Sequence, residues 1–231
     1  SPVWDTVLTM LAIHDCGADK QYAPQMDKAI DWLLANEVRH KGDWAVKLPD
    51  VEPGGWAFEY SNACYPDLDD TAVALIVLAP YRNDPKWQAR DIEGAVERAV
   101  DWTLAMQCKN GGWGAFGKDN DKAILTKIPF CDFGEALDPP SVDVTAHVLE
   151  ALAALGYDNS HPAVARAIRY LRDEQEPDGS WWGRWGVNYI YGTAAVLPAL
   201  KAMGVDMNEP FVHKAADWIG SVQNEDGGWG E

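Results

Sequence analysis

Basic residues are scarce in this chain: Lys and Arg total 19 among 231 residues, against 36 Asp and Glu, for a formal net charge of −17. Because so acidic a protein repels phosphate groups, nucleic acids are excluded as partners. Long apolar runs are also missing, since the longest, residues 72–79, falls far short of the roughly 20 residues of a membrane-spanning helix. Hydrophobic residues nevertheless make up 47% of the chain, which is enough for a folded core.

Cysteine is rare too, and the four cysteines are too scattered to form a C-x-x-C pair (Cys16, Cys64, Cys108 and Cys131). This spacing predicts free thiols in a reducing cytosol, and it favours neither a disulfide framework nor a zinc site. Tryptophan, in contrast, is abundant, with 12 residues. Such an excess indicates that the fold uses indole side chains repeatedly.

A sequence repeat accounts for many of these tryptophans. Three segments share an aromatic residue, a glutamine five positions later, and a Gly-x-Trp triplet after a short polar turn. Each segment predicts an amphipathic helix that ends at glycine, after which the tryptophan folds back. A fourth, degenerate copy carries Glu37 where glutamine is expected, followed by Gly42-Asp43-Trp44. The three regular copies are Trp102, Gln107 and Trp113; Tyr170, Gln175 and Trp181; and Trp218, Gln223 and Trp229.

A second set of segments alternates with the first and is apolar on all sides. Each of these segments runs into apolar sequence after a threonine, and the threonines are Thr6, Thr71, Thr145 and Thr193. A helix without a polar face must be buried on all sides, so these segments predict inner helices surrounded by the amphipathic outer ones. No stretch shows the alternation of a strand. The predicted fold is therefore all-α.

Alternating inner and outer helices predict an α/α toroid built from helical hairpins. The chain supplies four helices of each kind, whereas an (α/α)6 barrel needs six of each. Residues 1–231 are therefore expected to form a single, partial α/α-barrel domain of a longer protein. The terminal inner helices are expected to keep an uncovered apolar face, and the chain alone is expected to be inactive.

The repeat also brings candidate site residues into register. The residue two positions before each inner-helix threonine is Trp4, Asp69, Asp143 or Tyr191, which places all four at helix starts around one mouth of a toroid. His147 follows Asp143 by four residues and shares its helix face. A lone histidine on a buried helix is more often part of a hydrogen-bonded core than a catalyst, and both roles stay open.

Three carboxylates crowd the start of one inner helix, at Asp67, Asp69 and Asp70. Helix capping explains one aspartate there, but three aspartates before an apolar helix exceed that need. Because like charges repel, one carboxyl should hold its proton to unusually high pH and could serve as an acid. A metal cluster is the rival interpretation, with His147 and Asp143 as the plausible further ligands.

Together these motifs resemble those of the squalene–hopene cyclases, which are class II triterpene cyclases. The aspartates match the D-x-D-D motif of that family, and the aromatic–glutamine–tryptophan segments match its QW repeats, three well and one weakly. Residues 129–135 and 138–147 also resemble family sequence, so the resemblance covers essentially the whole chain. Oxidosqualene cyclases carry a different acid motif, and squalene is therefore the expected substrate.

The resemblance implies a role for each polar site residue. Asp69 would protonate a terminal alkene of squalene, supported by the two neighbouring aspartates. His147 would hydrogen-bond to Asp69, Tyr191 would help to hold the water that returns the proton, and Asp143 would join this network. The implied reaction is a metal-independent cationic polycyclisation to a pentacyclic hopanoid, hopene or hopanol, and it needs no cofactor.

Aromatic residues are implied as the cavity lining that stabilises the carbocations. Phe130 and Cys131 match the constriction of the substrate channel, and Phe116 stands where many relatives carry tyrosine, which leaves its role in the choice of product open. Membership of this family would also place the protein peripherally on the cytoplasmic side of a bacterial membrane, with a homodimer left open. The cavity aromatics implied are Trp4, Phe58, Phe133 and Trp185.

Two other classes of function fit parts of the pattern. A glycoside hydrolase on an α/α toroid also combines carboxylates with tryptophan. It needs polar surroundings, however, whereas the helices that follow Asp69 and Asp143 are apolar. A non-catalytic repeat scaffold is the third class, but it has no reason to crowd three aspartates.

Overall fold

The structure, a computed structural model, describes residues 1–59, 64–122, 127 and 137–231. The chain divides into two compact units, Ser1–Met106 and Gln107–Glu231. The first unit contains the helices α1 (Pro2–Asp15), α2 (Ala23–Ala35), α3 (Leu68–Leu78) and α4 (Ile92–Met106). The second contains α5 (Val142–Ala154), α6 (Pro162–Asp173), α7 (Asn188–Ala202) and α8 (Pro210–Ser221).

Each unit alternates inner and outer helices, as the repeat predicts. In the first unit α1 packs against α2 and α3, and α3 packs against α4. In the second unit α5 packs against α6 and α7, and α7 packs against α8. The predicted all-α fold of helical hairpins is therefore confirmed.

The inner helices differ in how far they are buried. Nine of the eleven residues of α3 and nine of the thirteen of α5 are buried, as an apolar helix requires. Only three of fourteen are buried in α1 and five of fifteen in α7. The expectation of complete burial is wrong for α1 and α7, where side chains such as Leu8 are exposed, and these two helices keep the expected uncovered faces.

A short antiparallel ladder precedes α3, although the sequence predicts no strand. The strand β1 (Trp56–Ala57) pairs with β2 (Pro66–Asp67), and Trp56 lies opposite Asp67. The prediction was wrong because two residues per strand are too few to produce an alternating pattern. The ladder holds the segment before α3 against the preceding tryptophan turn.

A glutamine joins successive repeats of the second unit. The side-chain amide of Gln107 donates to the carbonyl of Gly111 and to that of Ala163 in the first turn of α6, both at 2.8 Å. Gln175 repeats this pair of bonds, to the carbonyl of its own turn at 2.9 Å and to a carbonyl in α8 at 2.8 Å. Each glutamine thereby ties the turn that follows it to the start of the next outer helix.

A threonine hydroxyl ties each tryptophan turn to the inner helix that follows it. The hydroxyl oxygen accepts the backbone N–H of the tryptophan in both units, and the threonine is buried each time. The pairs are Thr71 with Trp56 at 2.9 Å, Thr145 with Trp113 at 3.0 Å, and Thr193 with Trp181 at 2.9 Å.

The degenerate repeat lies elsewhere than predicted. Instead of Gly42-Asp43-Trp44, it is Trp56 that makes the bonds of the other copies: its indole N–H donates to the carbonyl of Leu33 in α2 at 2.8 Å, as Trp181 donates to α6. Trp44 lies in a short 3-10 helix, Asp43–Val46. The prediction was wrong because a long loop separates α2 from its tryptophan turn, so the spacing of the other repeats does not apply.

Glu37 stands in the place of the repeat glutamine and changes the chemistry of that junction. Its two carboxylate oxygens accept Nε–H and Nη2–H of Arg98, each at 2.8 Å. At the equivalent junction of the second unit, Arg166 donates to the amide oxygen of Gln107. The same arginine position therefore binds a carboxylate in one unit and a neutral amide in the other.

We expect the repeat glycine to tolerate no side chain. A Cβ atom on Gly111 would lie 2.5 Å from the carbonyl oxygen of Arg166, and Gly111 has a φ of 101°. Gly111→Ala should lower the free energy of unfolding by at least about 2 kcal/mol, because it adds atomic overlap to left-handed backbone strain. Urea unfolding followed by circular dichroism measures this loss.

Gly220→Ala is the matched control, because Gly220 lies within α8 and a Cβ there would meet no atom within 4 Å. It should be neutral or stabilise the fold by up to about 1 kcal/mol, since alanine favours a helix over glycine. Equal effects of the two substitutions would contradict the importance of the close approach at Gly111.

Candidate active site

The aspartate segment begins α3, and its local structure explains one of its three carboxylates. Asp67 is the N-cap residue, and its Oδ1 accepts the backbone N–H of Asp70 at 2.8 Å. This bond satisfies one of the unpaired N–H groups at the helix start. Capping therefore explains the presence of Asp67 but not that of Asp69 or Asp70.

Asp67 and Asp70 form a buried acid pair, with 3% and 2% of their surface exposed. Asp67 Oδ2 and Asp70 Oδ1 make no hydrogen bond within the described part of the chain. Burial, followed by the charge of Asp70, raises the pKa of Asp67 well above its ordinary value. Burial also raises the pKa of Asp70 to about 6, helped by the charge of Asp69. Asp67 thus has the raised pKa that the sequence predicts, but burial is the larger cause and the crowding of carboxylates the smaller one.

Asp69, the second residue of α3, differs from both neighbours because it is only partly buried. Of the three aspartates it is the least buried. An accessible carboxyl next to a buried pair that holds a proton is a suitable arrangement for donating a proton to a substrate.

In the second unit, Asp143 lies in the first turn of α5 and accepts two backbone N–H groups. It is fully buried, and its Oδ2 accepts the backbone N–H of Trp185 at 2.8 Å while Oδ1 accepts that of Val144 at 3.1 Å. His147 lies one turn further along α5 and is partly buried. Glu150, which the sequence pattern does not single out, follows His147 on the same helix, and burial raises its pKa.

Tyr191 is the fourth residue of α7, and glycine provides the space for its ring. A Cβ atom on Gly186 would lie 2.2 Å from Cγ of Tyr191, and one on Gly183 would lie 3.0 Å from Cδ1. The ring therefore packs directly on the backbone of the turn that leads into α7. Since α5 packs against α7, the helices that carry Asp143 and Tyr191 are neighbours.

The aromatic residues that the resemblance singles out form two groups. In the second unit, Phe116 and Trp185 make an edge-to-face contact, with ring centroids 6.0 Å apart, and both are partly exposed. In the first unit, Ser1 Oγ accepts the N–H of Trp4 at 3.2 Å and donates to the carbonyl of Phe58. The remaining predicted residues, Phe130, Cys131 and Phe133, lie outside the described residues.

The predicted polar residues thus belong to two units, the aspartate segment to the first, and Asp143, His147 and Tyr191 to the second. The hydrogen bond from His147 to Asp69 that the resemblance implies stays a prediction.

The described residues also bear on the metal, thiol and membrane expectations raised by the sequence. Over residues 1–59, 64–122, 127 and 137–231, no group of three or more His, Cys, Asp or Glu side chains is arranged to hold a metal ion. Cys16, Cys64 and Cys108 are free thiols, as predicted. None of the described helices is both long enough and apolar enough to cross a membrane.

Comparison of the sequence with known families gives a match to the squalene-hopene cyclase C-terminal domain over residues 1–231. The squalene–hopene cyclase of Alicyclobacillus acidocaldarius is 51% identical over 193 residues, which cover 84% of this chain and 30% of that protein. The squalene–hopene cyclase of Schizosaccharomyces japonicus is 50% identical over 200 residues, with the same coverage. The chain therefore spans about 30% of the length of these relatives.

Comparison with solved structures finds type II terpene cyclases. A type II terpene cyclase from Scytonema has a TM-score of 0.60 at 23% identity, over 96% of this chain and 55% of that one. The ent-copalyl diphosphate synthase of Streptomyces platensis has a TM-score of 0.51 at 27% identity, over 74% of this chain and 28% of that one. Since type II terpene cyclases have the α/α toroid fold, this likeness confirms the predicted fold class.

Replacing Asp67 with asparagine should make the stability of the fold less dependent on pH. The raised folded-state pKa values of Asp67 and Asp70 mean that each carboxyl contributes its full stability below about pH 4. That contribution is lost as the pH rises through the folded value, about 6 for Asp70. Asp67→Asn keeps a capping oxygen and removes a buried charge. Thermal unfolding should show the variant equal to wild type near pH 4 and more stable by about 1 kcal/mol or more at pH 8.

Asp158→Asn is the control, because the pKa of Asp158 is shifted in the opposite direction to that of Asp67. Asp158 is exposed, and hydrogen bonds from Ser160 lower its pKa, so its contribution is present above its ordinary pKa and lost as the pH falls. Asp158→Asn should therefore bring no gain at pH 8. A gain in both variants would indicate general relief of negative charge rather than the burial of Asp67.

Proposed function

Because the chain belongs to the squalene–hopene cyclase family, we propose that the protein converts squalene to a pentacyclic hopanoid by acid-initiated cationic polycyclisation. Asp69 donates the first proton to a terminal alkene of squalene. An alkene is a weak base, so the donor must be a strong acid that is shielded from water. The reaction forms carbon–carbon bonds within one molecule, and it ends when the last cation loses a proton or captures water.

The observation that carries this proposal is the contrast among three adjacent carboxyls. Asp67 and Asp70 are buried, and the pKa of each is raised, so the pair retains a proton, while the carboxyl of Asp69 is the most accessible of the three. A protonated neighbour can donate a hydrogen bond to the carboxylate that remains after proton transfer. That bond stabilises the conjugate base and makes Asp69 a stronger acid.

In this proposal, three further side chains assist Asp69 as the acid: His147, Tyr191 and Asp143. His147 donates a hydrogen bond that stabilises the Asp69 carboxylate, and the phenol of Tyr191 helps to hold the water that returns a proton to it. Asp143 has a further part, because it already accepts the backbone N–H of Trp185. It therefore links the polar network to the aromatic residues of the cavity.

The aromatic residues stabilise the cations that follow protonation. A cation over an aromatic face gains about 0.5–2 kcal/mol without meeting a nucleophile. The partly exposed rings of Phe58, Phe116 and Trp185 are available for such contacts. A glycoside hydrolase is disfavoured, because the helices behind the carboxyls are apolar and α3 is buried along most of its length. Family membership also disfavours a non-catalytic scaffold.

We also propose that the protein acts at the cytoplasmic surface of a bacterial membrane as a peripheral protein, and the proposal leaves a homodimer open. Squalene is almost insoluble in water and accumulates in bilayers, so an enzyme that consumes it must take it from a membrane. This part rests on the chemistry of the substrate and on the family resemblance.

Asp69→Asn in the full-length protein should abolish cyclisation and leave the fold intact, because the amide keeps the shape of the acid but cannot donate its proton. The rate of squalene conversion, measured by mass spectrometry of the products, should fall far below a tenth of the wild-type rate. Asp206→Asn is the matched control, since Asp206 is exposed and accepts the backbone N–H of Asn208. A variant at Asp69 that keeps more than about a tenth of the rate, a barrier change under roughly 1.4 kcal/mol, would refute its role as acid.

Chelation separates acid chemistry from metal chemistry. If the aspartates act as a proton source, dialysis against a strong chelator should leave squalene turnover unchanged. Loss of activity that a divalent ion restores would instead favour the metal cluster.

A further inference from the structure

Asp138 lies against the loop segment that carries Phe116. Two antiparallel bridges hold its segment: Trp113 pairs with Ser141, and Asn120 pairs with Asp138. The N–H of Asp138 donates to the carbonyl of Asn120 at 3.0 Å, and its side chain is buried, with 7% of the residue exposed. A buried carboxylate at this position needs hydrogen-bond donors.

Three successive backbone N–H groups supply those donors. Asp138 Oδ1 accepts the N–H of Ala115 at 3.1 Å, and Oδ2 accepts those of Phe116 and Gly117, each at 2.6 Å. Such bonds to an ionised group are stronger than neutral ones. The carboxylate therefore fixes the backbone on both sides of Phe116.

The loop is built to admit this carboxylate. A Cβ atom on Gly114 would lie 2.7 Å from the carbonyl oxygen of Asp138 and 2.9 Å from its Oδ2. Any side chain at residue 114 would therefore push the segment of Asp138 away from the loop. Glycine is required here for a close approach of two backbones.

The ring of Phe116 lies on this anchored backbone and is only partly covered by the described part of the chain. Phe116 is 39% exposed and Trp185 is 50% exposed. Their edge-to-face contact has centroids 6.0 Å apart and an interplanar angle of 80°. A buried aspartate holds the backbone of each ring-bearing residue: Asp138 accepts the N–H of Phe116, and Asp143 Oδ2 accepts the N–H of Trp185 at 2.8 Å.

The two anchors belong to one short segment, residues 138–143. Arg184, next to Trp185, reinforces the link, because it donates to the carbonyl of Leu137 at 3.0 Å and its guanidinium lies 5.8 Å from the centroid of the Trp185 ring. The same segment therefore sets the position of both rings relative to each other.

We propose that Asp138 is a positioning residue that holds the ring of Phe116 against Trp185 and thereby determines how far the cation cascade proceeds before a proton is lost. The proposal rests on the proposed function, since it requires that these rings face the cations. With the carboxylate in place, the ring stays at the cation and the cascade continues. Without it, the loop moves, the cation loses its stabilisation, and deprotonation gives products with fewer rings.

The test is Asp138→Asn in the full-length protein, with squalene as substrate and the product ratio resolved by mass spectrometry. Asparagine offers one acceptor oxygen where the carboxylate offers two, so it cannot hold all three N–H groups. We expect the share of incompletely cyclised products to rise about fivefold, the change that one cation–π contact of ordinary strength produces. A merely structural role would lower the amount of active protein and leave this ratio unchanged.

Two further variants isolate the role of Phe116. Asp178→Asn is the matched control, because Asp178 accepts the N–H of Ser180 at 3.0 Å in another turn, and it should keep the wild-type ratio. Phe116→Ala should shift the ratio in the same direction as Asp138→Asn. The double variant should match Phe116→Ala alone, since Asp138 acts through that ring. If Asp138→Asn does not fold, Asp138→Glu, which displaces the carboxylate by one methylene, should give the same shift.

If the folded Asp138 variant keeps the wild-type product ratio while the wild-type protein is active, the positioning role of Asp138 is overturned. The proposed function is not affected by that outcome. A further shift when Asp138→Asn is added to Phe116→Ala would overturn the positioning role as well, because Asp138 would then act elsewhere. A wild-type protein that forms no cyclic product from squalene would overturn the proposed function, and the role of Asp138 with it.

Discussion

The hydrogen bond between a tryptophan N–H and a buried threonine hydroxyl is the contact on which the placement of the candidate site depends. It joins the turn after an outer helix to the next inner helix, and it occurs in both units at almost the same length. Three of the candidate polar residues lie two positions before such a threonine, on the turn of helix that this bond fixes. The residues so placed are Asp69, Asp143 and Tyr191.

The acid pair shows how the fold and the proposed chemistry oppose each other. Asp67 caps α3, and capping stabilises the helix. The same position buries a carboxyl beside Asp70, which raises both pKa values and destabilises the folded state as the pH rises from the ordinary carboxyl pKa towards the raised values. The apolar packing of α3 offsets this loss, because most of the helix is inaccessible to water. A well-packed helix is thus a condition for keeping an acid of this kind.

The helices and the aspartate cluster could be predicted from the sequence because both repeat or stand out in a single chain. The alternation of apolar and amphipathic segments predicts all eight long helices of the described residues, and the crowding of Asp67, Asp69 and Asp70 predicts a raised pKa. The hold of Asp138 on Phe116 could not be predicted, because it joins a carboxylate to backbone N–H groups more than 20 residues away. The tryptophan turn at Trp56 was also missed, since the loop before it breaks the spacing of the repeat.

The different partners of the repeat arginines have a consequence for the order of the hairpins. In the first unit Arg98 binds the carboxylate of Glu37 through two parallel bonds, whereas in the second unit Arg166 binds the amide of Gln107. A glutamine cannot accept two guanidinium N–H groups through both of its terminal atoms, and a glutamate cannot donate to two carbonyls as Gln107 does. The junctions are therefore not interchangeable, and hairpins transplanted between them would carry the wrong donors and acceptors. The glutamate junction therefore excludes a hairpin made for a glutamine junction, whereas Gln107 and Gln175 make the same pair of bonds.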